Sequence, residues 1–115
     1  MSKPLEFDIC VIGAGAAGLS IAAGASQLGA RAVLIEAGGM GGDCLNVGCV
    51  PSKALLAAAK AAHSGAEAAK FGITYAKPEV DFAGVMAHVK DVIAGIAPVD
   101  SQERFEGLGV TVIRE

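Results

Sequence analysis

The residue types able to do chemistry gather in Gly41 to Lys53, GGDCLNVGCVPSK, where Cys44 and Cys49 stand among Gly41, Gly42 and Gly48 with Pro51 and Lys53 close behind. Two sulfurs at this spacing can hold a metal, staple a fold or exchange electrons. Zinc takes four ligands, commonly in closely spaced pairs. Only His63 and His88 could add to the two cysteines, and neither is at ligand spacing. The expectation is no metal site and two ordinary, solvent-facing histidines. A structural disulfide would close a small loop for a modest entropic gain, and a reducing cytoplasm, the compartment that three cysteines suggest, would open it. Electron exchange explains more of the stretch. Positions five apart in a regular helix lie roughly 8–9 Å apart at Cα, beyond the ~7 Å reach of a disulfide. The pair therefore needs an irregular helix start, which the glycines permit, and Pro51 suits a first turn because it has no backbone N–H to donate. Thiolates near a helix N-terminus have a lowered pKa and exchange readily. Cys10 lies in an apolar run and reads as a small buried hydrophobe.

Upstream, Gly13-Ala14-Gly15-Ala16-Ala17-Gly18 fits G-x-G-x-x-G. Alone the pattern is weak; its context strengthens it, because it follows an apolar strand, opens a helix and is followed by Glu36 after a second strand. Gly13 permits the tight turn. Gly15 leaves no Cβ between a pyrophosphate and the backbone, and Gly18 lets helix and sheet pack closely. Unpaired N–H groups and the helix dipole then favour phosphate. Glu36 is placed to accept hydrogen bonds from a ribose diol. The turn by itself does not separate FAD from NAD.

The elements that must position these residues follow from the pattern. Phe7 to Ile12 reads as a strand buried on both faces of a parallel sheet. Leu19 to Leu28 reads as a helix ended by Gly29, and Ala32 to Ile35 as a second buried strand. This is a right-handed βαβ unit. Helical composition runs from Asp43 and most clearly from Ser52 to Lys70, followed by a turn or short strand around Phe71 to Pro78. Asp81 is a good N-cap for a helix carrying Phe82, Val85, Met86, Val89, Val92, Ile93 and Ile96 near the 3.6 period. Pro98 ends or kinks it, a short helix spans Asp100 to Glu106, and Val110 to Ile113 forms a third parallel strand.

At 115 residues the chain suits one domain. It is 53% hydrophobic and 4% aromatic, with 16 glycines, so close backbone packing is expected more than bulky pockets. A net charge of -3 and a pI near 5.3 argue against nucleic acid. The 22 uncharged residues between Asp8 and Arg31 have the length of a membrane span. Their five glycines and the shift from β-branched residues to alanine read instead as strand, turn and helix, and no membrane partner is expected. A three-stranded sheet ending two residues after its last strand leaves an open edge, so the chain is expected to be an incomplete fragment.

GGDCLNVGCVPSK resembles the active-site signature of the flavoprotein disulfide reductases with a C-x₄-C centre: dihydrolipoamide dehydrogenase, mercuric reductase, glutathione reductase and relatives. DFAGVM and ERFEGLGVTVI look most like the dihydrolipoamide dehydrogenase and mercuric reductase members, and Ser52 sets the chain apart from glutathione reductases. The resemblance implies an α/β, Rossmann-like FAD-binding domain with a long helical crossover, residues 1–115 being its N-terminal part. It implies FAD held by Gly13, Gly15, Ala16, Gly18 and Gly42, with Glu36 on the adenosine ribose. Cys49 would face the flavin, Cys44 would be the sulfur that meets a disulfide or thiol substrate, and Lys53 would lie beside the flavin where a cation stabilises the reduced ring. It further implies NAD or NADP in the full-length protein, a homodimer, and a His–Glu acid-base pair from a later domain that His63 and His88 do not match. NAD(P)-binding and C-terminal interface domains are expected to be absent here, leaving a fragment that cannot turn over alone. The family commonly has Thr at the position of Asp43; a carboxylate there repels phosphate, so Asp43 is expected to cap the following helix instead. The alternative function is a stand-alone dinucleotide-binding module without redox activity, whose cysteines are incidental; for Lys53 alone the alternative is an ordinary surface lysine.

Overall fold

A computed structural model describes residues 4–115. The apolar β-branched runs form three strands, β1 (Ile9–Ile12), β2 (Ala32–Ile35) and β3 (Thr111–Ile113), all parallel in the order β1-β2-β3. Ile9 pairs with Ala32 and Ile12 with Ile35, while Val33 pairs with Thr111 and Ile35 with Ile113. The central strand β2 is sealed through Ala32, Val33 and Leu34. The connection between β1 and β2 is helix α1 (Ala16–Gln27), which closes with Leu28 as C-cap and Gly29 at φ 87°. Its alanines Ala22 and Ala25, with Leu19, let the helix lie close on the strands.

The long crossover from β2 to β3 is helical. It comprises α2 (Gly42–Asn46), α3 (Cys49–Ala68), α4 (Phe82–Ile96) and α5 (Gln102–Gly107), with a 3-10 turn at Ala97–Asp100 between the last two. Asp81 caps α4 as expected, accepting a hydrogen bond from the Ala83 N–H at 3.0 Å. Ser101 caps α5, accepting from the Arg104 N–H at 3.2 Å. Helix α5 returns the chain to the sheet by inserting Phe105, only 2% exposed, among Leu19, Leu34 and Val110. The Ser26 hydroxyl donates to the Leu108 carbonyl at 2.6 Å and ties this return to α1. Helices α3 and α4 pack on each other and project from the sheet, so the molecule measures 73 × 27 × 18 Å.

The uncharged run from Ile9 to Ala30 resolves into strand, turn and helix. By length and composition alone the segment Phe82–Gly107 is apolar enough to cross a membrane. It is not one continuous α-helix, because the 3-10 turn with Pro98 interrupts it.

Two expectations are corrected. Strand β1 is not buried on both faces: only Val11 is covered, and Ile12 is 83% exposed. Cys10 is accordingly exposed rather than buried. Both follow from what packs on the strand: α1 covers the face that carries Val11, and among the described residues no helix packs substantially on the face that carries Cys10 and Ile12. Of the turn or short strand expected around Phe71 to Pro78, the turn forms, as a 3-10 turn at Ala69–Phe71 closed by Gly72, and irregular chain follows.

Candidate functional site

The turn between β1 and α1 is as tight as the glycine spacing requires. Gly13 has φ 98°, a conformation that L side chains rarely adopt. A Cβ on Gly18 would lie 1.9 Å from the Gly13 carbonyl oxygen, so helix and turn touch through backbone alone. At Gly15 the opposite holds: a Cβ there would meet nothing within 4 Å. The space it would fill lies directly before α1, whose N-terminus has no side-chain cap and no acidic residue in its first turn. Free N–H groups and the positive end of the helix dipole thus face an open cradle suited to phosphate.

Glu36 follows β2 and turns its carboxylate back to this cradle. It accepts hydrogen bonds from the N–H groups of Ala14 and Gly38. The Ala14 bond, then the Gly38 bond, holds its carboxyl below the usual carboxylate range, with a smaller contribution from Arg114. Arg114 donates to the Gly38 carbonyl and fixes the loop from the far end of the chain.

That loop delivers the cysteines. The Gly41 N–H donates to the Ala14 carbonyl at 2.9 Å, and a Cβ on Gly42 would stand 2.7 Å from the Gly15 Cα, so the cysteine segment rests directly on the glycine turn. Asn46 secures it by donating to the carbonyls of Gly42 at 2.8 Å and Met40 at 3.1 Å. Helix α2 ends at Asn46 and α3 begins after Gly48, so the two sulfurs lie on either side of a helix break. The break frees the pair from the spacing that one regular helix would impose on residues five apart. A Cβ on Gly48 would come within 2.8 Å of the Asp43 carbonyl oxygen, so the close turn excludes a side chain there.

Cys44 is half-buried, Cys49 is exposed, and the two are free thiols close enough to influence each other's charge. This proximity to Cys49 pushes the Cys44 thiol up, and desolvation adds to it, while the Cys49 N–H at the start of α3 acts in the opposite direction. The expected lowering of a thiol pKa near a helix N-terminus is therefore not seen at Cys44. A neighbouring sulfur opposes a second negative charge more than the helix start favours one. Lys53 is exposed one helical turn after Cys49, on the same face of α3. Asp43 is not a helix cap: it sits in the first turn of α2, whose N-cap is Gly41. His63 and His88 are exposed on α3 and α4, far from this constellation in sequence.

Beside Cys44 opens a cleft of about 360 Å³ between α1 and α5. Ala16, Ser20 and Ala23 form one wall, Asp100, Arg104 and Phe105 the other, with Cys44 and Val50 at its end. Asp100 and Arg104 are not legible from the sequence as site residues. They lie more than fifty positions after Cys44 and carry no motif, and only the return of α5 to the sheet brings them there. Asn46 was within reach of sequence reasoning, because an amide four residues after Gly42 can bond back to its carbonyl.

The family profile of the pyridine nucleotide-disulphide oxidoreductases matches residues 7–111. The chain belongs to this family. A mercuric reductase of Streptomyces lividans is 44% identical over 90 residues, covering 77% of this chain and 19% of that protein. A dihydrolipoyl dehydrogenase of Haemophilus influenzae is 42% identical over 95 residues, covering 82% and 20%. The HOCl-induced flavoprotein disulfide reductase RclA of Escherichia coli, solved as a Cu(II) complex, shares the fold with a TM-score of 0.71 at 24% identity, covering 92% of this chain and 21% of RclA. The chain thus spans about a fifth of the length of these relatives. Members of the family are oxidoreductases that bind FAD and NAD(P)H. The residues present fit FAD: the open space at Gly15, the uncapped start of α1 and the carboxylate of Glu36 together make a cradle for a dinucleotide.

Proposed function

We propose that this chain is the FAD-binding and dithiol-bearing part of a flavoprotein disulfide oxidoreductase of the dihydrolipoyl dehydrogenase or mercuric reductase kind. The observation that carries the reading is the seating of the cysteine loop on the dinucleotide turn, through the Gly41–Ala14 hydrogen bond and the Gly42–Gly15 contact. A dithiol held against a phosphate cradle has no use in a simple nucleotide-binding module. Gly13, Gly15, Ala16, Gly18 and Gly42 would hold the pyrophosphate by backbone, and Glu36 the adenosine ribose. Lys53, on the same helical face as Cys49, would place a cation near the isoalloxazine. FAD, when bound, supplies two-electron exchange with the cysteine pair.

The chain's own residues perform the thiol chemistry. The Cys44 thiolate attacks one sulfur of a substrate disulfide; the substrate S–S bond breaks, a mixed disulfide forms, and the released sulfur takes a proton. The Cys49 thiolate then attacks Cys44, frees the second substrate thiol and closes the Cys44–Cys49 disulfide. Two electrons have passed from the cysteines to the substrate, and the steps reverse for a dithiol donor. The Cys49 N–H favours negative charge on Cys44, and the helix break at Gly48 would let the two sulfurs approach and bond. The whole enzyme is proposed to work as a homodimer with NAD or NADP as its second cofactor.

Titrating the chain with FAD while following flavin fluorescence tests the cradle. Saturable quenching that Gly15→Val removes is expected; equal quenching by both proteins contradicts the assignment. Mild oxidation followed by peptide mapping tests the sulfurs, with an intramolecular Cys44–Cys49 bridge as the expected product.

A further inference from the structure

The cleft beside Cys44 carries two charged side chains, and they differ in what satisfies them. Arg104 is exposed at the rim, donates from Nη1 to the Val99 carbonyl at 2.7 Å and lies 5.4 Å from the Phe105 ring centre. Asp100 is half-buried in the wall. Among the described residues its carboxylate accepts no hydrogen bond, and it forms no ion pair with Arg104 although the two are four positions apart. The remaining wall is neutral and small: Ala16, Ser20 and Ala23. We infer that Asp100 makes the Cys44 cleft a charge filter, one that admits uncharged disulfides and dithiols and turns away those with a carboxylate near the reacting sulfur.

The physical basis is an unpaired negative charge beside the point of attack. A substrate carboxylate entering this cleft comes close to half-buried Asp100; Arg104 keeps its charge, but it sits exposed at the rim, bonded to the Val99 carbonyl, where solvent screens it more. The same carboxylate acts on the Cys44 sulfur, where it adds to the influences holding the thiol protonated. Within a half-open cleft, like-charge repulsion at several ångströms changes a rate by about three- to tenfold, and salt weakens it. The inference rests on the reading of Cys44 as the substrate-facing sulfur.

The test compares two alkylating probes of similar size, neutral iodoacetamide and anionic iodoacetate, on the reduced 115-residue chain. Each is attacked by the thiolate with loss of iodide, and initial rates at Cys44 and Cys49 are read separately by peptide mapping. Taking the iodoacetate-to-iodoacetamide ratio cancels any change in thiolate fraction, because both probes react with the same thiolate. Asp100→Asn, which keeps shape and removes charge, is expected to raise this ratio at Cys44 by about three- to tenfold at low salt and by much less in 1 M salt. The ratio at Cys49, which does not line the cleft, is expected to change less. Equal ratios at Cys44 in the two proteins overturn the charge filter while leaving the dithiol reading in place. Alkylation confined to Cys49 overturns both. An equal acceleration by both probes shows that the substitution opened the cleft or freed the thiol without altering charge selection, and overturns the filter as well.

Discussion

The sheet unit and the projecting helix pair bury their apolar residues to very different degrees. Phe105 is sealed at 2% exposure among α1, β2 and the start of β3, whereas Phe82, the first residue of α4, stands 65% exposed. In α4 only Val89 is buried, although the helix carries a full apolar stripe. Leu55, Leu56, Val80, Phe82 and Val85 instead line an open apolar groove of about 330 Å³ between the two helices. Stability is thus concentrated where the glycine turn and Glu36 sit, and the cysteine loop is anchored to that rigid side. Helices α3 and α4 take from it a fixed starting point and little else. A reactive pair that must approach a cofactor is best placed on the well-packed region, where its geometry is set by backbone contacts.

Substitutions can break this contrast. Phe105→Ala is expected to cost about 3–5 kcal/mol, enough to unfold the sheet unit, as read by denaturant titration. Gly18→Ala comes next: its methyl would have to displace the Gly13 carbonyl, at a cost of about 3 kcal/mol, with loss of FAD binding. Gly48→Ala should cost about 1–3 kcal/mol and, more tellingly, slow formation of the Cys44–Cys49 bridge by pushing α2 and α3 apart. Glu36→Gln should cost about 1 kcal/mol at neutral pH, since its carboxylate is partly solvated. Because the fold holds that carboxyl low, its contribution is present above the ordinary carboxylate range and lost as pH falls through the folded value. The gap between the two proteins should therefore close in acid. Phe82→Ala is expected to be smallest, below about 1 kcal/mol; a loss as large as that of Phe105→Ala would erase the distinction between the regions.

Local signals carried much of this into the sequence. Asp81 and the stripe from Phe82 to Ile96 define α4 to the residue, because capping and periodicity act within a turn or two. Gly13, Gly18 and Glu36 announced the β1–α1–β2 unit for the same reason. The exposure of Ile12 and Cys10 was not legible, since an apolar strand reads alike whether one or both of its faces are covered. The protonated tendency of Cys44 depends on a contact across a helix break, and Asp100 reaches the site only through tertiary folding. Neither leaves a trace in local pattern.

The most direct measurement is equilibration of the purified chain, loaded with FAD, in buffers of graded thiol-disulfide potential, with the cysteine pairing read by mass spectrometry. The account predicts a single two-electron transition between two thiols and an intramolecular Cys44–Cys49 disulfide, with Cys10 reduced throughout. A chain whose Cys44 and Cys49 never join, or join Cys10 or another molecule instead, contradicts it.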